Sequence, residues 1–392
     1  MAAAAFGLSA FAAEPALAQS STRPVSIPVR VVPGDSYLMN IDFEGKDQSA
    51  GGLSYAGSAT LALQVESMGP QGGVWRWSFE DVSLRSLNLG SEAGGEMPAW
   101  LTGPGLDTTM SATLRLFSDL DFVCRVDARG TCVELQNWPE WRERIENVVL
   151  ITSGAIQLYA ATQSHQAATP TSPGEPAVAS PTVDMNQVAL AINNVAGILL
   201  NAVDGEMLAT GFSLPGMSEI QGRSFVLGAE TPTEINYAMP FGAEPIRMTG
   251  SATLQSVDRA AGVARFSYNQ VLDQRSMVQS FTTMVQNGSG PIVAAITPAL
   301  PPGTLGEDPA ASTEYMASMM GAMLSSFRID SEVAGTAEVD LATGLVTRIT
   351  STQRQAVMSP DGEVLTNQVA RTSITLTRGA PEQPRLGRAI GQ

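Results

Sequence analysis

Histidine, lysine and cysteine are almost missing from this chain of 392 residues: His165, Lys46, Cys124 and Cys132 are the whole complement. His165 sits in a stretch rich in Pro, Ala, Ser and Thr. A Ser/His/Asp triad, a Cys/His dyad or a histidine-rich metal site would have to be built on a solvated linker, which argues against most hydrolase and metalloenzyme designs. Basic charge is scarce too, with 22 Lys+Arg against 38 Asp+Glu and a net charge of −16. Such a surface repels phosphate backbones, and no basic stripe offsets it locally, so no nucleic acid is expected as a partner. There is no phosphate-cradling glycine loop, dinucleotide fingerprint or EF-hand pattern, and no cofactor or metal is expected. Gly52-Leu53-Ser54-Tyr55-Ala56 lacks the second glycine and the following helix of a nucleophile elbow.

Long apolar runs are confined to the N-terminus. Ala2 to Ala18 is alanine-rich, holds Phe6, Leu8, Phe11 and Leu17, and closes with Ala16-Leu17-Ala18, the small-x-small pattern read by a signal peptidase, although no basic residue precedes Arg23. Residues 1–18 are therefore expected to be a signal peptide. Cleavage near Ala18 would leave a periplasmic or secreted chain, and with no cysteine after the cleavage site no lipid anchor is expected there. Elsewhere no run reaches the roughly 18 residues that a membrane-spanning helix needs, since the richest, Val188 to Val203, carries Asn193, Asn194 and Asn201. The mature chain is expected to be soluble and without a transmembrane segment.

What is present is β-patterning. Gly57-Ser58-Ala59-Thr60-Leu61 recurs as Gly250-Ser251-Ala252-Thr253-Leu254, with a third core copy at Ser111-Ala112-Thr113-Leu114. Val74 to Phe79 then lines up with Val263 to Tyr268, so a duplicated hairpin is the simplest account. Within it Ala59, Leu61, Leu63 and Val65 alternate with polar residues, and the returning strand places Trp75, Trp77 and Phe79 on one face. The apolar phase slips after Phe79 to Val82 and after Tyr268 to Val271, which predicts a bulge, and hence curvature, at the same point of both copies. Asp127 to Gly130, Ala342 to Gly344 and Pro360-Asp361-Gly362 read as hairpin turns, the last two within a C-terminal three-stranded meander.

Helices are few. Pro139 suits a first helical turn, followed by a stripe from Trp141 to Tyr159; Val188 to Leu199 forms a second stripe and Met316 to Phe327 a third. Met277 to Val285 fits helix or strand. The pattern predicts a β-dominated α+β chain with two curved, half-barrel-like antiparallel sheets and a few covering helices. Its divisions are a β-rich half over 19–164 ending in a helix, a linker over 165–182, a helix over 183–206, a second β-rich half over 207–378 and a disordered tail over 379–392.

Two features carry candidate chemistry. Asp119, Asp121 and Asp127 crowd one hairpin and are calcium-type ligands, but their spacing is that of turn and edge residues. Apolar material is the other: Trp75, Trp77, Phe79, Phe266 and Tyr268 on the duplicated hairpins, with Met316, Met320 and Met323 of the third helix, could line a site for an apolar ligand.

Cys124 and Cys132 lie on adjacent strands of one hairpin, and an even count in an exported chain favours a disulfide. A three-residue turn, Ala128-Arg129-Gly130, puts both cysteines on one face. A four-residue turn pairs Cys124 with Val133 and Phe122 with Leu135, giving the better apolar face but turning Cys132 away.

The order of a duplicated hairpin, Asp127-Ala128-Arg129-Gly130 followed by Leu135-Gln136-Asn137 and a helix, Leu214-Pro215 before strands, then Gly335 to Asp340 with Thr343-Gly344-Leu345-Val346 resembles an uncharacterised family of exported bacterial β-rich proteins with two related β halves. The resemblance implies no catalytic residues. The functional expectation is an exported, noncatalytic binding or envelope-associated protein whose partner is another envelope protein. The alternatives are a carrier of an apolar, lipid-like small molecule in a cleft between sheet and helix, and a carboxylate-based hydrolase.

Overall fold

A computed structural model describes residues 23–48, 52–88, 120–150, 185–211, 216–297 and 327–379, with positions 315, 318, 319, 322 and 326. The proposed signal peptide, the 165–182 linker, His165, the third Ser-Ala-Thr-Leu copy, Met316, Met320, Met323 and the tail from 380 lie outside the described residues.

The strands are β1 (Val25–Ser26), β2 (Ser36–Asp47), β3 (Ser54–Gly69), β4 (Gly72–Asn88), β5 (Phe122–Val126), β6 (Cys132–Leu135), β7 (Ser224–Phe225), β8 (Glu230–Tyr237), β9 (Ile246–Asp258), β10 (Val263–Leu272), β11 (Arg328–Asp340), β12 (Val346–Met358) and β13 (Val364–Arg378). A helix α1 begins at residue 138 and is described to residue 150. It is followed by α2 (Met185–Asn201), α3 (Gly205–Gly211) and α4 (Gln274–Ile296). Met277 to Val285 thus lies within a helix. Its start is fixed by the Asp273 side chain, which accepts from the backbone N–H of Arg275 (3.0 Å) and Ser276 (3.3 Å).

The chain is β-dominated with two antiparallel sheets, as its alternation predicts. They do not correspond to the two halves of the sequence. Among the described residues one sheet is the short pair β1–β7, and the other contains eleven strands in the order β6-β5-β4-β3-β2-β13-β12-β11-β10-β9-β8. The halves meet at its centre, where Tyr37–Asp47 of β2 runs against Gln368–Arg378 of β13. One cluster of buried side chains includes Trp75 and Cys124 near one end of the sheet, Leu254 and Phe266 near the other, and Ile27, Ile220 and Phe225 of the short strands and the segment before β7. The large sheet therefore folds around β1, β7 and the adjoining segment from Gly216. That segment is tied to β1 by the N–H of Ile27 donating to the Arg223 carbonyl and the N–H of Gly222 to the Ile27 carbonyl, both at 2.8 Å.

Bulges give the curvature. In the β3–β4 hairpin the register shifts at three points, leaving Glu66, Glu80 and Arg85 as the extra residues. Each is charged and exposed, so the insertion projects to solvent while the apolar residues keep to the inner face. The shift at Glu80 is the one signalled by the phase change after Phe79. The second copy departs from the expectation. Its bulge lies at Gln255 on β9, and β10 keeps strict alternation: Ala264, Phe266, Tyr268 and Gln270 are all buried while Val271 is 48% exposed. The slip inferred from Val271 does not occur because the inward amide of Gln270 donates to the buried carboxylate of Glu219.

Candidate functional site

On the inner face of β2–β5 lies a cavity of about 350 Å³. Period-two alternation brings its walls together: Met39, Ile41 and Phe43 from β2, Ala59 and Leu61 from β3, Trp75, Trp77 and Phe79 from β4, and Phe122, Cys124 and Val126 from β5. Cross-strand neighbours stack these into rows, Trp75 opposite Cys124, Trp77 opposite Phe122, and Leu61 between Met39 and Phe79. One end is deep, with Trp75, Cys124 and Val126 buried; the other is shallower, with Ile41, Phe43 and Ala59 partly exposed. Across the face run Met217, Ser218 and Gln221 of the segment that enters β7.

The aromatic side is braced by α1. The Trp141 ring stacks on Phe122 with centroids 4.1 Å apart, and its Nε1–H donates to the Asp121 carbonyl at 2.9 Å. The Asn137 amide donates to the same carbonyl (2.7 Å) and accepts from the Val123 N–H (3.0 Å). Edge strand β6 is covered by α3, whose Gly205 backbone abuts the Leu135 carbonyl.

The hairpin turn closes the deep end. The Asp127 carboxylate accepts from the N–H groups of Arg129 (2.8 Å) and Thr131 (3.0 Å), and Gly130 adopts φ +74°. A Cβ on Gly130 would lie 2.5 Å from the Trp75 ring, so glycine serves both the turn and the aromatic wall. The three-residue turn is the one formed, with Asp127 N–H donating to the Thr131 carbonyl. A bulge at Val133 then sets Val126 opposite Cys132 and Cys124 opposite Leu135. The bulge reconciles the two demands of the sequence: Leu135 faces inward and the cysteines still meet in a disulfide, Cα atoms 5.5 Å apart. Both cysteines line the cavity.

Of the residues singled out from sequence, Trp75, Trp77 and Phe79 line this cavity. Phe266 and Tyr268 lie elsewhere, in the main core, where Phe266 meets Phe225 edge-on at 4.8 Å and Tyr268 abuts Gly216. Asp121 is ion-paired with Arg76 at 2.9 Å, and Asp127 is occupied by its turn. Among the described residues no group of three His, Cys, Asp or Glu side chains is placed to hold a metal ion.

Sequence reasoning missed the segment from Gly216 to Gln221, which carries no periodicity. Glu219 is fully buried there, its carboxylate accepting from the Gly216 N–H (2.9 Å), the Ser218 hydroxyl (2.9 Å) and the Gln270 amide. Burial pushes its carboxyl pKa up, outweighing these hydrogen bonds and the attraction of Arg223. Two lining residues, Trp75 and Gln221, carry buried donors, Nε1 and Nε2, with no partner among the described residues. Leaving such a donor unsatisfied costs roughly 1–3 kcal/mol, so their position on a cavity wall is informative.

No protein-family model matches the chain, and no curated protein matches it significantly. Among solved structures, one of lipid–protein interactions in lipovitellin overlaps 90% of this chain at 9% identity with a TM-score of 0.36; this chain spans about a quarter (26%) of that one. A likeness at that level carries no argument about fold or ligand. No helix among the described residues is long and apolar enough to cross a membrane.

Proposed function

We propose that the chain is an exported, noncatalytic protein that binds an apolar, lipid-like ligand in the cavity of β2–β5. One observation carries the reading: a space of about 350 Å³ walled by Trp, Phe, Met, Leu and Ile side chains remains beside the buried core. Interiors close such spaces when they can, and a volume near the lower end of the range for small-molecule sites, about 300–1,000 Å³, suits one apolar chain or ring system. The cavity moves this reading ahead of interaction with another envelope protein. Its partly exposed end gives a ligand a route in. A noncatalytic role is supported by the engagement of Asp121 and Asp127 in an ion pair and a turn, and export by the N-terminal apolar segment and the disulfide.

Solvent extraction of the purified protein followed by mass spectrometry, together with binding of an environment-sensitive naphthylamine dye, tests the proposal. An apolar ligand should be recovered, or the dye should bind and be displaced by a fatty chain. Ala59→Trp, which directs an indole into the cavity, should weaken dye binding by about tenfold or more without loss of the β-sheet circular dichroism. A wild-type protein that carries no ligand and binds no dye, or a folded Ala59→Trp variant that binds as well, would overturn the proposal.

A further inference from the structure

The end of the cavity bounded by Trp75, Gly130 and Gln221 is chemically unlike the rest, and if the cavity holds a ligand as proposed above, this end selects its head group. Trp75 and Gln221 are each 3% exposed, and their side-chain donors Nε1 and Nε2 have no partner among the described residues. Two residues beyond Gln221, the Nε of Arg223 is a third buried donor without a partner among the described residues; its guanidinium makes a long polar contact, 3.5 Å from Nη1 to the Pro232 carbonyl. An indole N–H and a guanidinium can only donate. An acceptor is what this end calls for.

Charge points the same way. The stem of Arg129 lies against Gly222, where a Cβ would come within 2.4 Å of Arg129 Cγ. Arg129 adjoins Gly130 and Thr131, which line the cavity, as Arg223 adjoins the Gln221 segment. The two arginines, neither of which lines the cavity itself, are near enough that Arg129 adds to the larger effect of burial in lowering the pKa of Arg223, with Glu219 acting in the opposite sense. Neither makes an ion pair among the described residues, a state they share with several other described arginines such as Arg30, Arg259 and Arg348. Glu219 attracts Arg223 without forming an ion pair with it, its carboxylate being hydrogen-bonded by Gly216, Ser218 and Gln270.

We infer that the ligand is a single-chain anionic amphiphile. Its apolar chain lies along Trp77, Phe79 and Ile41, and its carboxylate or phosphate-ester head accepts from Trp75 and Gln221 under the charge of Arg129 and Arg223.

The test is a titration of the full-length protein, followed by tryptophan fluorescence at neutral pH, with dodecanoate, dodecyl phosphate, dodecanol and dodecyltrimethylammonium below their micelle concentrations. Both anions should bind about tenfold or more tighter than the alcohol. Arg129→Gln, at an exposed position, and Arg223→Gln should each narrow that gap by about threefold. Acetate and inorganic phosphate should give no response, which separates an amphiphile site from a bare anion site; a response to them matching the amphiphiles overturns the inference. Equal affinity for alcohol and anions, tighter binding of the cation, or arginine variants that leave the preference intact also overturns it, while the apolar site itself survives. Failure of every chain to bind overturns the inference together with the proposed function.

Discussion

Glu219 shows how much a single residue can hide. Its carboxylate is fully buried, faces Gln270 on β10, and has Arg223, Tyr237 and Tyr268 as its charged or titratable neighbours. Burial raises its pKa above the ordinary 4.5, so folding favours the protonated acid. The stability this group contributes is complete below 4.5 and is lost as pH rises through the higher native value; both tyrosines are themselves pushed upward and stay neutral over that range. Glu219→Gln removes the charge and keeps the hydrogen bonds, because a glutamine amide can donate to Gln270 Oε1, which has no partner when Gln270 itself donates. The variant should gain stability relative to wild type as pH rises from about 5 to about 8, read as the difference in urea midpoints. A difference that does not change with pH would sink the idea. Nothing in Met217-Ser218-Glu219-Ile220 marks this acid in the sequence, since a loop has no period to read. Gln270 was more accessible: continuing the alternation of Ala264, Phe266 and Tyr268 places it inward, and only the attraction of assigning Val271 to the core obscured it.

Among the elements, the β5–β6 hairpin repays the closest reading. Its turn chemistry was legible in Asp127-Ala128-Arg129-Gly130, and so were the wall residues Trp75, Trp77 and Phe79, because both follow from local rules of turn and pleat. What composition could not supply was the bulge at Val133, a one-residue choice made by tertiary packing of Leu135 under Trp141 and Leu208. The disulfide spans this bulge and holds β6 on β5 at the cavity's deep end. Closing so short a loop contributes about 2.5 kcal/mol in the chain-entropy model. Cys124→Ala with Cys132→Ala should therefore lower the unfolding free energy by roughly that amount. Dye binding should weaken as well, because both sulfurs belong to the cavity wall. Chemical denaturation of oxidised and double-alanine protein side by side checks the first effect. Equal midpoints would show that the bulged ladder and Asp127 hold the hairpin without the bond.

At the scale of the whole molecule, the proline-rich stretch over 165–182 suggests a division of the chain, and strands from both sides of it share one sheet. Alternation identifies strands and turns identify hairpins, but the pairing of β2 with β13 joins residues more than 300 apart in the chain, and no local pattern encodes such a contact. The same holds for β1 with β7, which ties the first described strand to the start of the second half. β2 and β13 are central strands, and separating the halves would bare the backbone donors and acceptors of both along their full pairing, with Met39, Ile374 and Leu376 losing their cover. A protease site placed within 165–182 should therefore be cut without dissociating the protein: the two fragments should co-elute by gel filtration, retain dye binding, and part only in denaturant. Expressed singly, each fragment should show reduced β-sheet dichroism and a tendency to aggregate, and mixing them during refolding should restore the cavity. Cleaved fragments that separate under native conditions, each still folded, would establish two independent domains and refute the continuous sheet as the basis of stability.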